Sequence, residues 1–378
     1  MKRLVLLGGG HSHIEVLRRF RDEPGAAAIT LVDPARFAMY SGMLPGFIAG
    51  HYAFHDCHID LPGLAQWANA GFVQTSACGL ETAQQKLVLD NGARLDYDLI
   101  SIDVGSVPAE NALPGIAGNV IPVRPVTAFL RNWATLLEHA AAGKLKRLVV
   151  VGGGPAGVEL ILSMQHRIAQ SAPSRAIQFA LVTDADEILP GFNARARVLL
   201  QRLLSQRAIE LHLSFRVSAA EPDAVVSSAG GRVAGDAIFW ATGAGAPPWL
   251  SRTGLQLDTK GFIAIDERLQ SISHPDVFAA GDCATMLAHP AAKSGVYAVR
   301  QGPILAANLL HALAGKPLAK YHPQRFALAL ISSGDKCAVA SYGNLALAGA
   351  WVWRWKDYID RKFVARYHVA GAIAANPG

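Results

Sequence analysis

Cysteine is scarce in this sequence: there are four in 378 residues, Cys57, Cys78, Cys283 and Cys337, and no two form a CxxC pair. That excludes a dense disulfide framework and suits a reducing compartment. Long apolar runs are missing as well. Although 51% of the residues are hydrophobic, no stretch reaches the roughly 18 uninterrupted apolar residues of a membrane span. Met1-Lys2-Arg3 ahead of Leu4 to Leu7 imitates a signal peptide, but the apolar run is short and enters a glycine turn instead of a cleavage site, so a cytoplasmic address is expected. The net charge of +6 comes with no nucleic-acid motif, which leaves nucleotide cofactors or anionic lipid as the anionic partner and excludes nucleic acid. Metal is not expected either. His11 and His13 diverge on a first helical turn, and His51, His55, Cys57 and His58 have no partner cluster at zinc spacing.

What the chain does have is one design used twice. Leu4-Val5-Leu6-Leu7 runs into Gly8-Gly9-Gly10, and 144 residues further on Leu148-Val149-Val150-Val151 runs into Gly152-Gly153-Gly154, with a helical pattern after each. A buried parallel strand, a tight glycine turn and a helix N-terminus together hold a dinucleotide pyrophosphate, because free amides and the positive end of the helix dipole face the phosphates. At 378 residues the chain exceeds what one core usually supports, so two such domains plus an appendage are expected.

In the first unit, Gly8, Gly10, His11 and Ser12 are the candidate phosphate cradle. Ile29 to Asp33 reads as the next strand, and Asp33, 23 residues past Gly10, stands where a carboxylate accepts the hydroxyls of a ribose. His13 replaces the third glycine, so either the helix stands off the strand or the imidazole packs there with its hydrogen bonds satisfied. The Gly- and Pro-punctuated segment Met39 to Gly46, with Ser41, Gly42, Leu44 and Pro45, either lines a flat ring system or is a plain connection. Asn91-Gly92 marks a hairpin. In the second unit Gly152, Gly154 and Gly157 are all present, and the strand Phe179 to Val182 ends at Thr183, aligned with Asp33. Thr183 is neither a ribose carboxylate nor an arginine for a 2′-phosphate, so NADH is only mildly preferred to NADPH.

Five motifs in order, the Gly8 turn, Tyr97 to Gly105-Ser106, the Gly152 turn, Ala241-Thr242-Gly243 and Gly281-Asp282, resemble those of flavoproteins with two dinucleotide-binding domains, the FAD-dependent pyridine nucleotide-disulfide oxidoreductase superfamily. Within it the chain resembles type II NADH:quinone oxidoreductases. The strings HSHIEVLRRF, MYSGMLPG and WRWKDYIDRKF are similar to the flavoprotein domain fused to selenide, water dikinase. The resemblance implies an α/β fold of two Rossmann-like domains binding FAD and NAD(P), the first discontinuous, with a small α+β cap. The expected boundaries are 1–115 and 251–318 for the FAD domain, 116–250 for the NAD(P)H domain and 319–378 for the cap. It also implies Asp33 on the adenosine ribose, Gly281 and Asp282 on the ribityl chain, Gly105, Thr242 and Gly243 at strand-end turns, and Glu159 near the nicotinamide.

The implied activity is hydride transfer from NADH or NADPH to FAD, then passage of two electrons to a quinone-like or other acceptor. Arg124 either stabilises negative charge on the flavin or is a surface arginine before a turn. In type II enzymes a glutamine-bearing helix approaches the quinone; here its two positions fall on Val296 and Arg300, with Gln301 adjacent as the remaining candidate. One alternative is oxidation of sulfide or selenide through Cys337, and another is a flavin-binding sensor or assembly partner with little turnover. Trp351, Trp355, Ile359 and Phe363 recur every fourth residue beside Arg354, Lys356, Arg361 and Lys362. Residues 351–366 therefore read either as a helix lying on the inner face of a membrane or as one docked on its own domain or on the second subunit of a homodimer.

Overall fold

A computed structural model describes residues 1–108, 120–172, 176–324 and 326–369; the expected boundary between 115 and 116 lies outside them. The apolar run Arg3–Leu7 is the middle strand of a five-stranded parallel sheet, flanked on one side by Ala28–Val32 and then Gly71–Val73, and on the other by Leu99–Ile102 and then Val277–Ala279. Val277–Ala279 comes from far along the chain, so the first unit is discontinuous. Arg147–Val151 is likewise the middle strand of a second five-stranded parallel sheet, with Gln178–Val182 and Ile209–His212 on one side and Ala237–Trp240 and Val120–Pro122 on the other. Side chains of both middle strands are almost wholly enclosed, which is why each reads as an uninterrupted apolar run.

Each glycine turn leaves the carboxyl end of its middle strand and opens a helix, His11–Phe20 in the first unit and Pro155–Ser171 in the second. This is where open α/β sheets place their ligands. Ile14, Leu17 and Phe20 bury the inner face of the first helix, as their helical spacing predicts, and it packs on the long helix Gly295–Leu313. The Asn91-Gly92 signal produces the hairpin of Lys86–Leu89 and Arg94–Asp96.

The cap is a three-stranded antiparallel sheet, Ala329–Ser332, Ala338–Tyr342 and Leu345–Gly349, followed by the helix Ala350–Ala365. This cap helix buries Val352, Lys356, Asp360, Phe363 and Val364. The aromatic stripe of the sequence is therefore split. Trp351, Trp355 and Ile359 face outward at 51%, 41% and 37% exposure, whereas Phe363 is 6% exposed. A repeat of four residues drifts by roughly 40° per step on a helix of 3.6 residues per turn, so three steps carry the stripe from the outer face to the inner one. Burying Phe363 contributes about 1.5–3 kcal/mol to docking of the cap.

Candidate functional site

A cavity of about 610 Å³ opens at the carboxyl ends of the first sheet, walled by the Gly8–Gly10 turn, Asp33, Met39 to Ser41, Gly105, Ser106, Arg124 and Asp282. Gly8 has φ +94°, and a side chain there would run into the backbone of Asp103. Only glycine allows that approach. Asp33, at the end of its strand, accepts the amides of Gly9 at 2.6 Å and Ala35 at 2.7 Å, and burial pushes its carboxyl up against the pull of those amides. His13 settles as a packed imidazole: its ring nitrogens lie 2.6 Å from the Gly8 carbonyl and 2.8 Å from Ser101 Oγ. Burial pushes it down to about 4, so it is neutral.

His11 differs. It lines the cavity beside Tyr40 and Phe363, with ring centroids 5.3 and 6.1 Å away, and its buried Nε2 has no hydrogen-bond partner. Buried polar groups left unpaired are rare and call for a ligand, a water or strain. Ser12 turns away from the cavity, its Oγ donating to the Ala298 carbonyl at 2.9 Å.

Asp282 faces the cavity and is met by Arg124 at 3.2 Å and Ser106 Oγ at 3.4 Å. Arg124 lines the cavity wall with its side chain 42% exposed. Gln301 is not an open acceptor contact. Its Oε1 accepts the Gly281 amide at 2.8 Å, so it holds the Gly281-Asp282 turn in shape. Ser41 lines the cavity, but Gly42, Leu44 and Pro45 do not: Gly42 sits in the 3-10 turn Ser41–Met43 with its carbonyl accepting Lys356 Nζ, and Leu44 and Pro45 open the short helix Leu44–Ile48, where Leu44 packs into the second core.

In the second unit Gly152 has φ +127° and a side chain would run into the backbone of Ala241, whereas one at Gly154 would project into open space. That open space above a helix N-terminus is what a pyrophosphate fills. Gly157 packs against the Gly152 carbonyl and Thr183 against Gly153, while Gly243 faces open space and Thr242 follows the Ala241 contact. Glu159, two residues past Gly157, points to the cap: it accepts the Ser332 amide at 2.7 Å. Burial pushes its carboxyl up to about 7, against the pull of Lys356.

Two groups of buried charged residues take places that the sequence did not assign to them. Asp103 is buried in the cavity wall, its Oδ2 accepting the Ser12 amide at 2.9 Å. The signal lay in the chain's own repeat, because Ile102-Asp103-Val104-Gly105 matches Trp240-Ala241-Thr242-Gly243. The other group is Lys356 and Asp360, 7% and 5% exposed, which pair on the inner face of the cap helix. Asp360 also accepts the Tyr40 hydroxyl, and the Tyr40 ring stacks on Phe363 at 4.4 Å. Their signal is the i, i+4 spacing of opposite charges, which reads equally well as a solvated face.

All four cysteines are free, and none lines the cavity. Burial pushes the thiols of Cys57 and Cys283 up to about 12, so both stay protonated and unreactive at neutral pH. Among the described residues no helix is long and apolar enough to cross a membrane.

The residues present fit a dinucleotide with a flat ring: a glycine cradle, a ribose-register carboxylate, a second carboxylate at Asp282 and an unpartnered histidine surround a cavity of suitable size. A family model for pyridine nucleotide-disulphide oxidoreductases matches residues 2–302. Among curated relatives, the type II NADH:quinone oxidoreductase of Haemophilus influenzae is 24% identical over 332 residues, covering 76% of this chain and 74% of its own length. The external alternative NAD(P)H-ubiquinone oxidoreductase B2 of Arabidopsis thaliana mitochondria is 23% identical over 319 residues, covering 75% of this chain and 54% of its own, so the chain spans about half of that relative. Among solved structures, the sulfide:quinone oxidoreductase of Aquifex aeolicus superposes with a TM-score of 0.82 at 18% identity, covering 97% of this chain and 91% of that one. NDH2 of Plasmodium falciparum in complex with NADH gives 0.79 at 14%, covering 96% and 97%.

Proposed function

This chain belongs to the pyridine nucleotide-disulphide oxidoreductase family, and on that premise we propose that it is an FAD-dependent NAD(P)H:acceptor oxidoreductase of type II dehydrogenase character. The observation that carries the reading is the pair of glycine turns at the carboxyl ends of two equivalent sheets, one opening on a large cavity and the other on open space. When bound, FAD takes hydride from the nicotinamide and passes two electrons on. The protein's part is to hold and orient. The Gly8–Gly10 turn takes the pyrophosphate of FAD, Asp33 the adenosine ribose and Asp282 the ribityl chain, with Arg124 supplying positive charge at the cavity wall. Gly152, Gly154 and Gly157 take the second nucleotide. Asp184 and Asp186, exposed just after Thr183, put negative charge where a 2′-phosphate would lie, which favours NADH.

The acceptor is a quinone. The Haemophilus and Arabidopsis relatives bear quinone or ubiquinone in their names, and thiol chemistry finds little support: Cys337 is a single thiol, and burial raises its pKa. Glu159, with its carboxyl pushed up to about 7, and Asp360, likewise pushed up by burial, can hold protons against the cap. The outward face of the cap, with Leu345, Leu347, Trp351, Trp355 and Tyr358 exposed beside Arg354 and Lys362, suits an anionic membrane surface on the cytoplasmic side. A homodimer through that face is the competing arrangement. Purified protein should be yellow, consume NADH and reduce an added quinone; colourless protein, or NADH consumption without quinone reduction, would sink the assignment.

A further inference from the structure

Gly8 lies against the backbone of Asp103 as Gly152 lies against that of Ala241. Asp103 and Ala241 are thus equivalent positions of the two units, and where the second carries a methyl group the first carries a carboxylate, 3% exposed. Its Oδ2 accepts the amides of Ser12 at 2.9 Å and His13 at 3.4 Å, at the start of the first helix. A side chain at Gly10 or Gly281 would run into the same carboxylate, so Asp103 is wedged between the two turns that bound the cavity. As an anion it takes up the positive helix end on which dinucleotide phosphates depend.

We propose that Asp103 links binding at the first site to a proton: the cofactor's phosphates enter with the Asp103 carboxyl protonated, and the ionised carboxylate competes with them for the helix amides. The proposal rests on the flavoprotein reading above. Burial already pushes this carboxyl up to about 7, opposed by the Ser12 and His13 amides and helped by the charge of Asp282. Among the described residues no cation beside it offsets that. His11 and His13, on the first helix, are pushed down to about 4 by burial and stay neutral. Cys283, on the Gly281 turn, stays protonated. Arg124 is paired with Asp282, and Lys293 is bound to the Ala284 carbonyl and Thr285. An arriving phosphate adds like charge and favours the protonated carboxyl further, with the proton drawn from solvent.

The sign follows. The protonated form binds, so affinity is full below the pKa of about 7 in the free protein and falls above it, at a limiting slope of about tenfold per pH unit. The test is release of FAD from purified holoprotein, followed by the fluorescence of the freed flavin between about pH 6 and pH 9. Wild type should lose affinity steadily in the upper half of that range. Asp103→Asn, nearly isosteric, and Asp103→Ala, which reproduces the residue of the second unit, should both hold FAD with a flat pH profile and more tightly than wild type at the alkaline end. A wild-type profile that is flat, or an Asn variant with the wild-type slope, would overturn the proposal. Protein that holds no flavin at any pH would instead remove the flavoprotein reading and this inference with it.

Discussion

The two glycine turns share a skeleton and differ in their surroundings. The first is crowded: Asp103, Asp33, His11 and Asp282 line a cavity of about 610 Å³, and Phe363 of the cap helix packs beside His11. The second is open, with nothing within 4 Å of where a side chain at Gly154 would project, and with Pro155 and Ala156 exposed. An enclosed site with several polar anchors retains its ligand, and an open one with few exchanges it. On the proposed reading, the repeat separates a resident cofactor from a substrate nucleotide using one backbone design.

The sharpest way to break this comparison is to put the same side chain in both turns. Gly154→Val has room and should leave a folded, yellow protein whose flavin reduction by NADH falls by two or more orders of magnitude, because the side chain occupies the pyrophosphate position. Gly10→Val has no room, meeting the Asp103 carboxylate, and should cost flavin and folding together. Stopped-flow reduction and thermal unfolding separate the two; similar behaviour of both variants would erase the distinction.

Next in size is Asp282→Ala, which on the proposed reading removes a charge-assisted hydrogen bond to the cofactor worth about 1.5–3 kcal/mol. FAD affinity should drop by roughly tenfold to a hundredfold, as read by equilibrium dialysis. Full occupancy in that variant would show that the Gly281-Asp282 turn shapes the fold without holding the ligand.

Glu159 offers a smaller effect with a defined sign. Its folded pKa, about 7, lies above the ordinary value of 4.5, so the folded state binds more protons across that interval and stability falls as pH rises through it. Glu159→Gln should melt at a temperature that depends less on pH between those limits than wild type does. An unchanged pH dependence would mean that the carboxyl is solvated and does not lie sealed under the cap.

The smallest effect is expected at the cap surface. Replacing Trp351 and Trp355 with serine should weaken binding to anionic vesicles several-fold while leaving flavin content and melting temperature close to wild type, since both side chains are largely exposed. Loss of a dimer in place of vesicle binding, seen by light scattering, would assign that face to a second subunit.

The middle strands of both sheets, both turns and the hairpin at Asn91-Gly92 were legible in the sequence because each rests on a local rule: apolar run, glycine turn, helical spacing; the edge strands Gly71–Val73, Ile209–His212 and Val120–Pro122 were not. Asp33 and Asp282, expected at the ligand from their register, both stand in the cavity wall. Gln301 lies against the Gly281 amide, and Gly42, Leu44 and Pro45 lie off the cavity wall, because spacing fixes which helix or turn a residue joins but not which way it faces. Asp103 and the Lys356–Asp360 pair depend on contacts between segments far apart in the chain. No window of sequence contains such contacts, although aligning the two halves with each other does expose Asp103 against Ala241.

The most direct test of the central claim, one resident flavin and one exchanging nicotinamide, is anaerobic mixing of the purified protein with NADH while the flavin absorbance is followed. The protein should be yellow, bleach at a rate that saturates with NADH concentration and keep its flavin through gel filtration. Protein that is yellow but unbleached by NADH or NADPH, or flavin that is displaced by NADH, would contradict it.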